Sequence, residues 1–242
     1  MLSYDSPIPI AGKATTINMA NIPDPSQAAT SATKPGITTA SANGTISQHG
    51  DGTRKAHHIW LVTGPAGVGK SSVAAYLAEQ LGYPYIEGDE FHPPANIQKM
   101  SSGTPLTDAD RWDWLTALRE ESRKRIQQGS DGVVLTCSAL KQKYRDVIRV
   151  AGYFDHSLVI HFIYLSAPES LLLARVKARQ GHYMGANMVH SQFDILEPPG
   201  LNETDVISVD VSGPLEEVQE ETLKRVREIM REEGGQINGR SD

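Results

Sequence analysis

The sequence predicts a three-layer α/β domain in which helices cover both faces of a five-stranded, mainly parallel sheet. After residue 57, short apolar runs of strand length alternate with helical patterns about five times. Two of these runs, Val133–Cys137 and Leu158–Leu165, are almost entirely apolar, as is typical of parallel strands buried on both faces. Helices that connect parallel strands cross over the sheet, so both of its faces become covered.

A phosphate-binding loop follows the first strand-like run. Ile59–Val62 leads into Gly-Pro-Ala-Gly-Val-Gly-Lys-Ser at Gly64–Ser71, and a helical pattern continues from Val73. The glycines allow backbone N–H groups to converge on phosphate oxygens, and the dipole of the following helix favours anions there. In such a loop the lysine reaches the outer phosphates of a nucleoside triphosphate and the serine hydroxyl binds magnesium. The sequence therefore predicts a P-loop NTPase fold, whose nucleotide-binding residues here are Gly64, Pro65, Ala66, Gly67, Val68, Gly69, Lys70, Ser71 and Ser72.

Carboxylates follow the second predicted strand, Tyr83–Ile86, in the form Glu87-Gly88-Asp89. Ligands of open α/β sheets bind beyond the carboxyl ends of the strands, so these acids should lie beside the phosphate loop. The chain then predicts a single helical turn at Ile97–Met100 and a long helix that Thr107 or Asp108 caps. The apolar stripe of that helix is predicted at Trp112, Leu115, Leu118 and Ile126.

The remaining elements continue the alternation. Val133–Cys137 precedes one helix, and Leu158–Leu165 precedes another that opens at Pro168, a favourable first-turn residue. A fifth strand at Val206–Asp210 leads to a last helix that we expect to fray after Met230.

Composition divides the chain into three parts. Residues 1–56 are mostly Ser, Thr, Ala, Gly, Pro, Asn and Ile without a sustained period, which predicts a disordered low-complexity tail. Residues 57–231 form the predicted folded domain, and residues 232–242 a flexible C-terminal end. Neither a transit peptide nor a secretory signal is indicated, because the first arginine is Arg54 and no unbroken apolar core stands near the start.

Charge and cysteine content argue against several classes of partner. The formal net charge is −6 without a basic stripe, so no nucleic-acid partner is expected. The longest apolar stretch is too short to span a bilayer, so no membrane partner is expected either. Cys137 is the only cysteine, which excludes an internal disulfide and favours a cytoplasmic location, and we expect it to pack rather than react. His57 and His58, just before the strand, are expected to be solvent-exposed lead-in residues without an assigned function rather than metal ligands, since adjacent histidines in a strand point to opposite faces.

Several longer motifs surround the loop. Gly-Asp-x-x-His-Pro-x-x-Asn occupies Gly88–Asn96, Lys-Met-x-x-Gly-x-Pro-Leu-x-Asp-x-Asp-Arg occupies Lys99–Arg111, and Cys-Ser-Ala-Leu-Lys occupies Cys137–Lys141, followed by Tyr144-Arg145. In this order and spacing, within about His58 to Met230, they resemble the gluconokinase family. The resemblance implies ATP-dependent phosphorylation of D-gluconate to 6-phospho-D-gluconate, feeding the pentose phosphate pathway, with ATP and Mg²⁺ as cofactors. It also implies a fold similar to that of shikimate and adenylate kinases, and it suggests a homodimer.

The chemistry of phosphoryl transfer indicates Lys70 and Asp89 as catalytic residues, and the family resemblance adds Arg179. The reaction needs charge neutralisation and an in-line hydroxyl more than covalent help from the protein. The predicted catalytic residues are Lys70, Asp89 and Arg179, with Asp89 orienting the hydroxyl and accepting its proton. Alternatively, Asp89 caps the next turn. Glu87 is expected to hold magnesium through water beside Ser71, although related kinases often have Asp-x-Asp where this chain has Glu87-Gly88-Asp89.

A sugar acid presents one carboxylate and several hydroxyls. Arginine and lysine side chains suit the carboxylate, and histidine and asparagine side chains suit the hydroxyls. The predicted substrate-binding residues, each of which could instead form an internal ion pair or hydrogen bond, are Asp89, His92, Asn96, Arg111, Lys141, Arg145 and His182.

A lid segment is implied by the family resemblance of Arg175–Tyr183. One of Arg175 and Arg179 would lie against adenine and the other would meet the transferring oxygens, and either assignment is open. Pro214 would pack on the opposite adenine face. Closure of such a lid would exclude water that competes for the phosphoryl group.

The sequence also bears on three alternative functions. A guanine-nucleotide switch would need Asn-Lys-x-Asp after a late strand, where this chain has Val211-Ser212-Gly213-Pro214, which favours an adenine nucleotide. A kinase for another small sugar acid would differ mainly at His92, Arg111 and Arg145. An inactive nucleotide-binding module would bind nucleotide without turnover, which the intact Lys70 argues against.

Overall fold

The computed structural model describes residues 56–178 and 186–238. Its strands are β1 (His57–Thr63), β2 (Tyr85–Ile86), β3 (Gly132–Thr136), β4 (Leu158–Ser166) and β5 (Val206–Asp210). Its helices are α1 (Lys70–Leu81), α2 (Pro94–Ser101), α3 (Trp112–Gln127), α4 (Gln142–Phe154), α5 (Glu169–Ala178), α6 (Ala186–Asp194) and α7 (Leu215–Asn238), and Gly88–Phe91 forms a 3₁₀ turn.

The five strands form one parallel sheet in the order β2-β3-β1-β4-β5. Strand β1 lies in the middle, with Trp60 opposite Val134 on β3 and opposite His161 on β4. The carboxyl ends of all five strands therefore meet at one edge, to which β1 delivers the phosphate loop. The predicted five-stranded parallel sheet is confirmed.

Two hydrophobic clusters cover the two faces of the sheet. Along β1, Trp60 and Val62 point to the cluster formed with α1, α5, α6 and α7, whereas Ile59 and Leu61 point to the cluster formed with α3 and α4. This alternation follows from the two-residue period of a strand. The predicted three-layer arrangement is therefore confirmed, with the central strand buried on both sides.

The start of α3 differs from the prediction. The helix begins at Trp112, and its N-cap residue, Arg111, makes no side-chain capping bond. Thr107 instead donates its backbone N–H and its hydroxyl to the Asp110 carboxylate, at 2.8 and 2.7 Å. Asp108 accepts from Lys141 at 3.0 Å and also from Lys143 and Tyr144. The expectation that Thr107 or Asp108 caps this helix was wrong, because both side chains bind elsewhere.

The core-facing side of α3 also differs in part. Leu115, Leu118 and Ile126 are buried as predicted. Trp112, however, is 38% exposed, and Trp114 is buried in its place. The apolar stripe of α3 was therefore predicted correctly except in the first turn of the helix, where Trp114 and not Trp112 faces the core.

Three helices are longer than predicted or were not predicted. Helix α2 spans Pro94–Ser101 rather than the single turn at Ile97–Met100. Helix α6 at Ala186–Asp194 was not predicted, and α7 continues to Asn238, past the expected fraying point at Met230. The predicted tail at 1–56 lies outside the described residues apart from Ala56, and so do residues 239–242.

Both Cys137 and His58 are buried, which bears on what the sequence predicted for each. Cys137 is buried, and burial raises the pKa of its thiol to about 12, which agrees with a packing role. His58 is only 7% exposed, so its expected exposure was wrong. Among the described residues, no helix combines the length and the apolar character needed to cross a membrane.

Candidate active site

The phosphate loop has a backbone that requires glycine at its first position. Gly64 has φ +137°, and a Cβ atom there would lie 2.5 Å from the carbonyl oxygen of Leu165. Such a contact is shorter than packed atoms allow, and the positive φ excludes most other residues. The loop therefore lies directly against the end of β4.

Helix α1 opens towards the loop without a side-chain cap. Gly69 is its N-cap residue and makes no side-chain bond, so the first N–H groups of the helix are left for an anion. Lys70 Nζ donates to the carbonyl oxygens of Gly64 and Pro65, each at 3.0 Å. The loop thus has a cationic group and a helix dipole directed at the same place, which suits a polyphosphate.

A glutamine on α6 binds the same loop. Gln192 accepts a hydrogen bond through its Oε1 atom from the backbone N–H of Ala66, at 2.7 Å. One backbone amide of the phosphate loop is therefore held by a side chain from α6. Sequence reasoning missed Gln192 because it missed α6, although the buried pair Met188 and Val189 followed four residues later by Phe193 has helical spacing.

Glu87 lies beside the loop at the end of β2. Its carboxylate accepts from Tyr85 at 2.5 Å and from Thr136. Burial alone would raise the pKa of Glu87, but hydrogen bonds from Thr136, Tyr85 and Ser71 outweigh it and lower that pKa. Glu87 and Ser71 are therefore close enough to share a hydrogen bond, and the carboxylate is held ionised next to the residue predicted to bind magnesium.

Gly88 fixes the turn that carries Asp89. A Cβ atom at Gly88 would lie 1.9 Å from the carbonyl oxygen of Thr136, so only glycine fits. Its N–H donates to Thr136 Oγ1 at 2.9 Å, and its carbonyl accepts from Trp114 Nε1 at 2.7 Å. These two bonds hold the 3₁₀ turn against β3 and α3 and direct the next residue into the cleft.

Asp89 lies in the cleft opposite Lys70. Burial raises the pKa of the Asp89 carboxyl. The positive charge of Lys70 acts in the opposite direction, and the negative charge of Glu87 raises this pKa further. The Asp89 side chain is nevertheless 60% exposed, so water solvates the carboxylate in this open arrangement. Asp89 and Lys70 line one cavity together with His92 and Arg111. The structure thus brings four of the predicted site residues together.

Arg111 supplies a buried cation to this cavity. It is 8% exposed, donates from Nη2 to the carbonyl oxygen of Leu106 at 3.1 Å, and lies 5.4 Å from the centre of the Tyr144 ring. Its Nε has no hydrogen-bond partner among the described residues. A buried donor without a partner is costly, so this guanidinium is suited to an anionic ligand.

His92 is a neutral side chain on the cavity wall. Its ring stacks on Trp114 with 4.0 Å between centroids, and it is 8% exposed. Burial and then the charge of Arg111 lower the pKa of His92 to about 4. Its Nδ1 has no hydrogen-bond partner among the described residues, and its Nε2 lies 3.9 Å from Asp89 Oδ1. A neutral imidazole in this position can exchange hydrogen bonds with a hydroxyl group.

Three predicted substrate-binding residues make internal bonds instead of lining this cavity. Asn96 is buried and donates to the carbonyl oxygen of Asp110 at 2.6 Å. Lys141 donates to Asp108 at 3.0 Å. Arg145 donates from two nitrogens to Glu203, each at 2.6 Å. The alternative of internal bonding, which the sequence left open, is what the structure shows for these three side chains.

A second cavity, of about 210 Å³, lies on the other side of the loop. It is lined by Gly67, Gly69 and Ser72 from the loop and α1, by Arg175 from α5, and by Val211, Gly213, Leu215 and Val218. Arg175 Nη2 donates to the carbonyl oxygen of Val211 at 2.7 Å, so the arginine forms one wall. Pro214 lies in the chain between two of the lining residues, as a base-packing role would need. Arg179, His182 and most of the predicted lid fall at 179–185, outside the described residues.

The wall of the first cavity includes residues that carry no predicted role. They are Met100, Pro105, Leu106, Ser138, Met188, Ser191, Gln192 and Ile195. Ser138 follows β3, where the topology itself indicates a site. The other residues come from α2, α6 and the loops beside them, whose position depends on tertiary packing.

A phosphate loop on a parallel sheet, with an acid and a buried arginine in the adjoining cleft, defines a P-loop kinase of a small molecule. The family model described as AAA domain matches residues 59–196. A protein named probable gluconokinase from Schizosaccharomyces pombe is 45% identical over 176 residues, covering 72% of this chain and 91% of its own length. The thermoresistant gluconokinase of Escherichia coli K12 is 40% identical, over 72% of this chain and 97% of its own. This chain belongs to the gluconokinase family.

The fold agrees with a solved member of that family. The crystal structure of a gluconokinase from Sinorhizobium meliloti 1021 superposes with a TM-score of 0.65 and 40% sequence identity, covering 75% of this chain and 97% of the other.

Proposed function

We propose that this protein transfers the γ-phosphoryl group of ATP to the terminal hydroxyl of D-gluconate, giving 6-phospho-D-gluconate. The observation that carries the proposal is that Lys70, Asp89, His92 and Arg111 line one cavity directly beyond the phosphate loop. A donor-binding loop and a pocket suited to a small polyhydroxy anion thus share one cleft. The relatives named gluconokinase support the same acceptor.

The phosphate-binding half of the site acts through charge. The open N-terminus of α1 and the ammonium group of Lys70 would hold the phosphates and neutralise the charge that spreads over the transferring oxygens. Lys70 must leave the carbonyl oxygens of Gly64 and Pro65 to do so. The second cavity, with Arg175 on its wall, has room for the adenine ring.

Ser71 and Glu87 fit the requirements of Mg²⁺. This ion prefers oxygen ligands and keeps several of its waters, so one hydroxyl and one carboxylate acting through water suffice. Glu87 is held ionised and within hydrogen-bond reach of Ser71. When bound, Mg²⁺ would neutralise phosphate charge and fix the geometry of the donor.

The acceptor half combines one base with one anchor. Asp89 would orient the attacking hydroxyl and accept its proton, since its carboxylate faces the cavity and is charged when solvated. Arg111 would bind the substrate carboxylate through its free Nε, and His92 would bind a hydroxyl. The substrate would thus be held at both ends, which positions it for in-line attack.

The test is an ADP-release assay with gluconate, shikimate, glycerate and nucleoside monophosphates as acceptors. We expect gluconate to give the highest kcat/KM and Lys70→Ala to remove turnover with every acceptor. Lys99→Ala is a matched control, because Lys99 is paired with Asp110 at 2.5 Å outside the cavity. Preference for another acid would replace the acceptor, and nucleotide binding without any turnover would show an inactive module.

A further inference from the structure

A cluster of two histidines and one glutamate lies at the amino end of the sheet, away from the proposed active site. His58 is on β1, His161 is on β4 and Glu233 is on the last part of α7. His58 lies six residues before Gly64 in a strand, which corresponds to about 20 Å along the chain. The cluster is therefore separate from the phosphate loop, and no step of the proposed reaction uses it.

The sheet register brings the two imidazoles onto one face. Trp60 is directly opposite His161, and His58 is two residues before Trp60, so all three side chains point to the same side. Their rings stack, with centroids 4.2 Å apart for Trp60 and His161 and 5.8 Å apart for the two histidines. Helix α7 crosses this face and carries the glutamate over them. Both histidines are less than 9% exposed, which leaves little access to water.

Neither contact between Glu233 and the two histidines forms a hydrogen bond. Glu233 Oε2 lies 3.5 Å from His58 Nδ1, and Glu233 Oε1 lies 3.3 Å from His161 Nε2. Ordinary N–H···O bonds are about 2.9 Å long. His58 Nδ1, His161 Nε2 and Glu233 Oε2 are all buried and have no hydrogen-bond partner among the described residues. Three polar atoms that face one another without bonding are costly unless something lies between them.

The same distances fit ligands of one metal ion. Bonds of roughly 2.0–2.1 Å at tetrahedral angles place neighbouring ligand atoms about 3.3–3.4 Å apart. The two distances, 3.5 and 3.3 Å, are close to this value and run to the two different oxygens of the Glu233 carboxylate, and one ligand atom from each of the three residues lies within 4.8 Å of the others. Two imidazoles and one carboxylate form a donor set that Zn²⁺ accepts, whereas Mg²⁺ and Ca²⁺ prefer oxygen alone.

We propose that His58, His161 and Glu233 bind a divalent transition-metal ion of the Zn²⁺ class, with water in the fourth position. The ion links β1 and β4 to the C-terminal part of α7. It balances the Glu233 charge and satisfies the three buried polar atoms. Because it lies far from the cleft, its function is to stabilise the fold rather than to take part in catalysis.

The experiment uses the full chain, freed of metal by a chelator and without nucleotide. Zn²⁺ binding is measured by isothermal titration, and Co²⁺ serves as a second probe whose visible absorption reports coordination geometry. We expect one Zn²⁺ per chain, a Co²⁺ spectrum typical of tetrahedral nitrogen and oxygen ligands, and a higher melting temperature with Zn²⁺.

Variants locate the ion. Glu233→Gln keeps the shape of a side chain that is only 29% exposed and should weaken Zn²⁺ binding at least about tenfold. His161→Gln should do the same, and if it does not fold, Glu233→Gln decides alone. His190→Gln is the matched control, since His190 also lies beside a carboxylate, 2.9 Å from Glu169, but belongs to another part of the surface. The absence of Zn²⁺ binding, or binding that is unchanged in Glu233→Gln, would overturn the proposal.

Discussion

Replacing Arg145 by methionine separates a structural arginine from a substrate-binding one. Arg145 and Glu203 have side chains that are 1% and 3% exposed and share two bonds of 2.6 Å. Removing one partner of a buried pair leaves the other charge uncompensated and costs about 3–5 kcal/mol. Arg149 also binds Glu203, at 2.7 Å, and remains in the variant. We therefore expect Arg145→Met to lower the free energy of unfolding by about 3 kcal/mol.

The pKa of Glu203 gives an independent magnitude. Hydrogen bonds from Arg145, and secondarily from Arg149, lower this pKa from 4.5 to about 2 against the effect of burial. Each pKa unit corresponds to about 1.4 kcal/mol, so Arg145 and Arg149 together give a net stabilisation of about 3 kcal/mol at neutral pH after the opposing effect of burial. Because the folded pKa lies below the unfolded one, this stability is present above pH 4.5 and is lost as the pH falls towards 2.

The assay is urea unfolding of wild type and Arg145→Met at neutral pH, followed by KM for gluconate under conditions where both are folded. We expect a lower unfolding midpoint and an unchanged KM. The double variant Arg145→Met/Glu203→Leu should regain part of the stability. In it an apolar pair replaces the buried Glu203 carboxylate that Arg145→Met leaves without its main partner. A variant as stable as wild type with a strongly raised KM would refute this reasoning and return Arg145 to the substrate site.

Three further predictions concern the cleft. Asp89→Asn should lower kcat about 10²- to 10⁴-fold and leave ATP affinity unchanged, because it removes only the proton acceptor. Single-turnover kinetics and nucleotide titration measure the two quantities. Equal losses in kcat and in ATP affinity would contradict the role of Asp89. Arg111→Met should raise KM for gluconate far more than KM for ATP, since a carboxylate would lose its charged partner, and a uniform loss in both would count against that contact. His92→Phe, which can keep the stack on Trp114, should remove part of the acid sensitivity of folding. In wild type the folded pKa of His92 is about 4 and its unfolded value 6.5, so the unfolded chain binds more protons and stability falls as the pH drops from 6.5 towards 4. Urea midpoints across this range that fall equally in both proteins would show that His92 is not the cause.

Much of the fold follows from local sequence signals. The apolar runs in β1, β3 and β4 could be read directly, since central parallel strands are buried on both faces. The phosphate loop could be predicted because its motif places glycine where the backbone requires it, as at Gly64, whose φ is positive. Helix α6 could not be placed in the same way, because its burial depends on packing against the loop and the sheet rather than on a strong periodic pattern.

The site was harder to predict than the fold. Arg111 and Arg145 are both arginines in family-like motifs, yet one lines the cavity and the other is paired with Glu203, 58 residues further along the chain. No local signal identifies a partner at that separation. His58 was expected to be exposed because it stands at the start of the first strand. It is buried on the face that the last part of α7 covers, and that part was expected to fray.

The bond from the Ala66 amide to Gln192 links the two halves of the cleft. A phosphate oxygen that takes this amide must displace the glutamine, which lies on the helix that also places Met188 and Ser191 on the acceptor wall. If the donor phosphate binds this amide, its arrival releases a restraint on the acceptor pocket, and each ligand then changes the affinity of the other by the same factor. Titration of gluconate with and without a non-hydrolysable ATP analogue measures that factor. We expect it to shrink towards one in Gln192→Ala, in which the amide is already released.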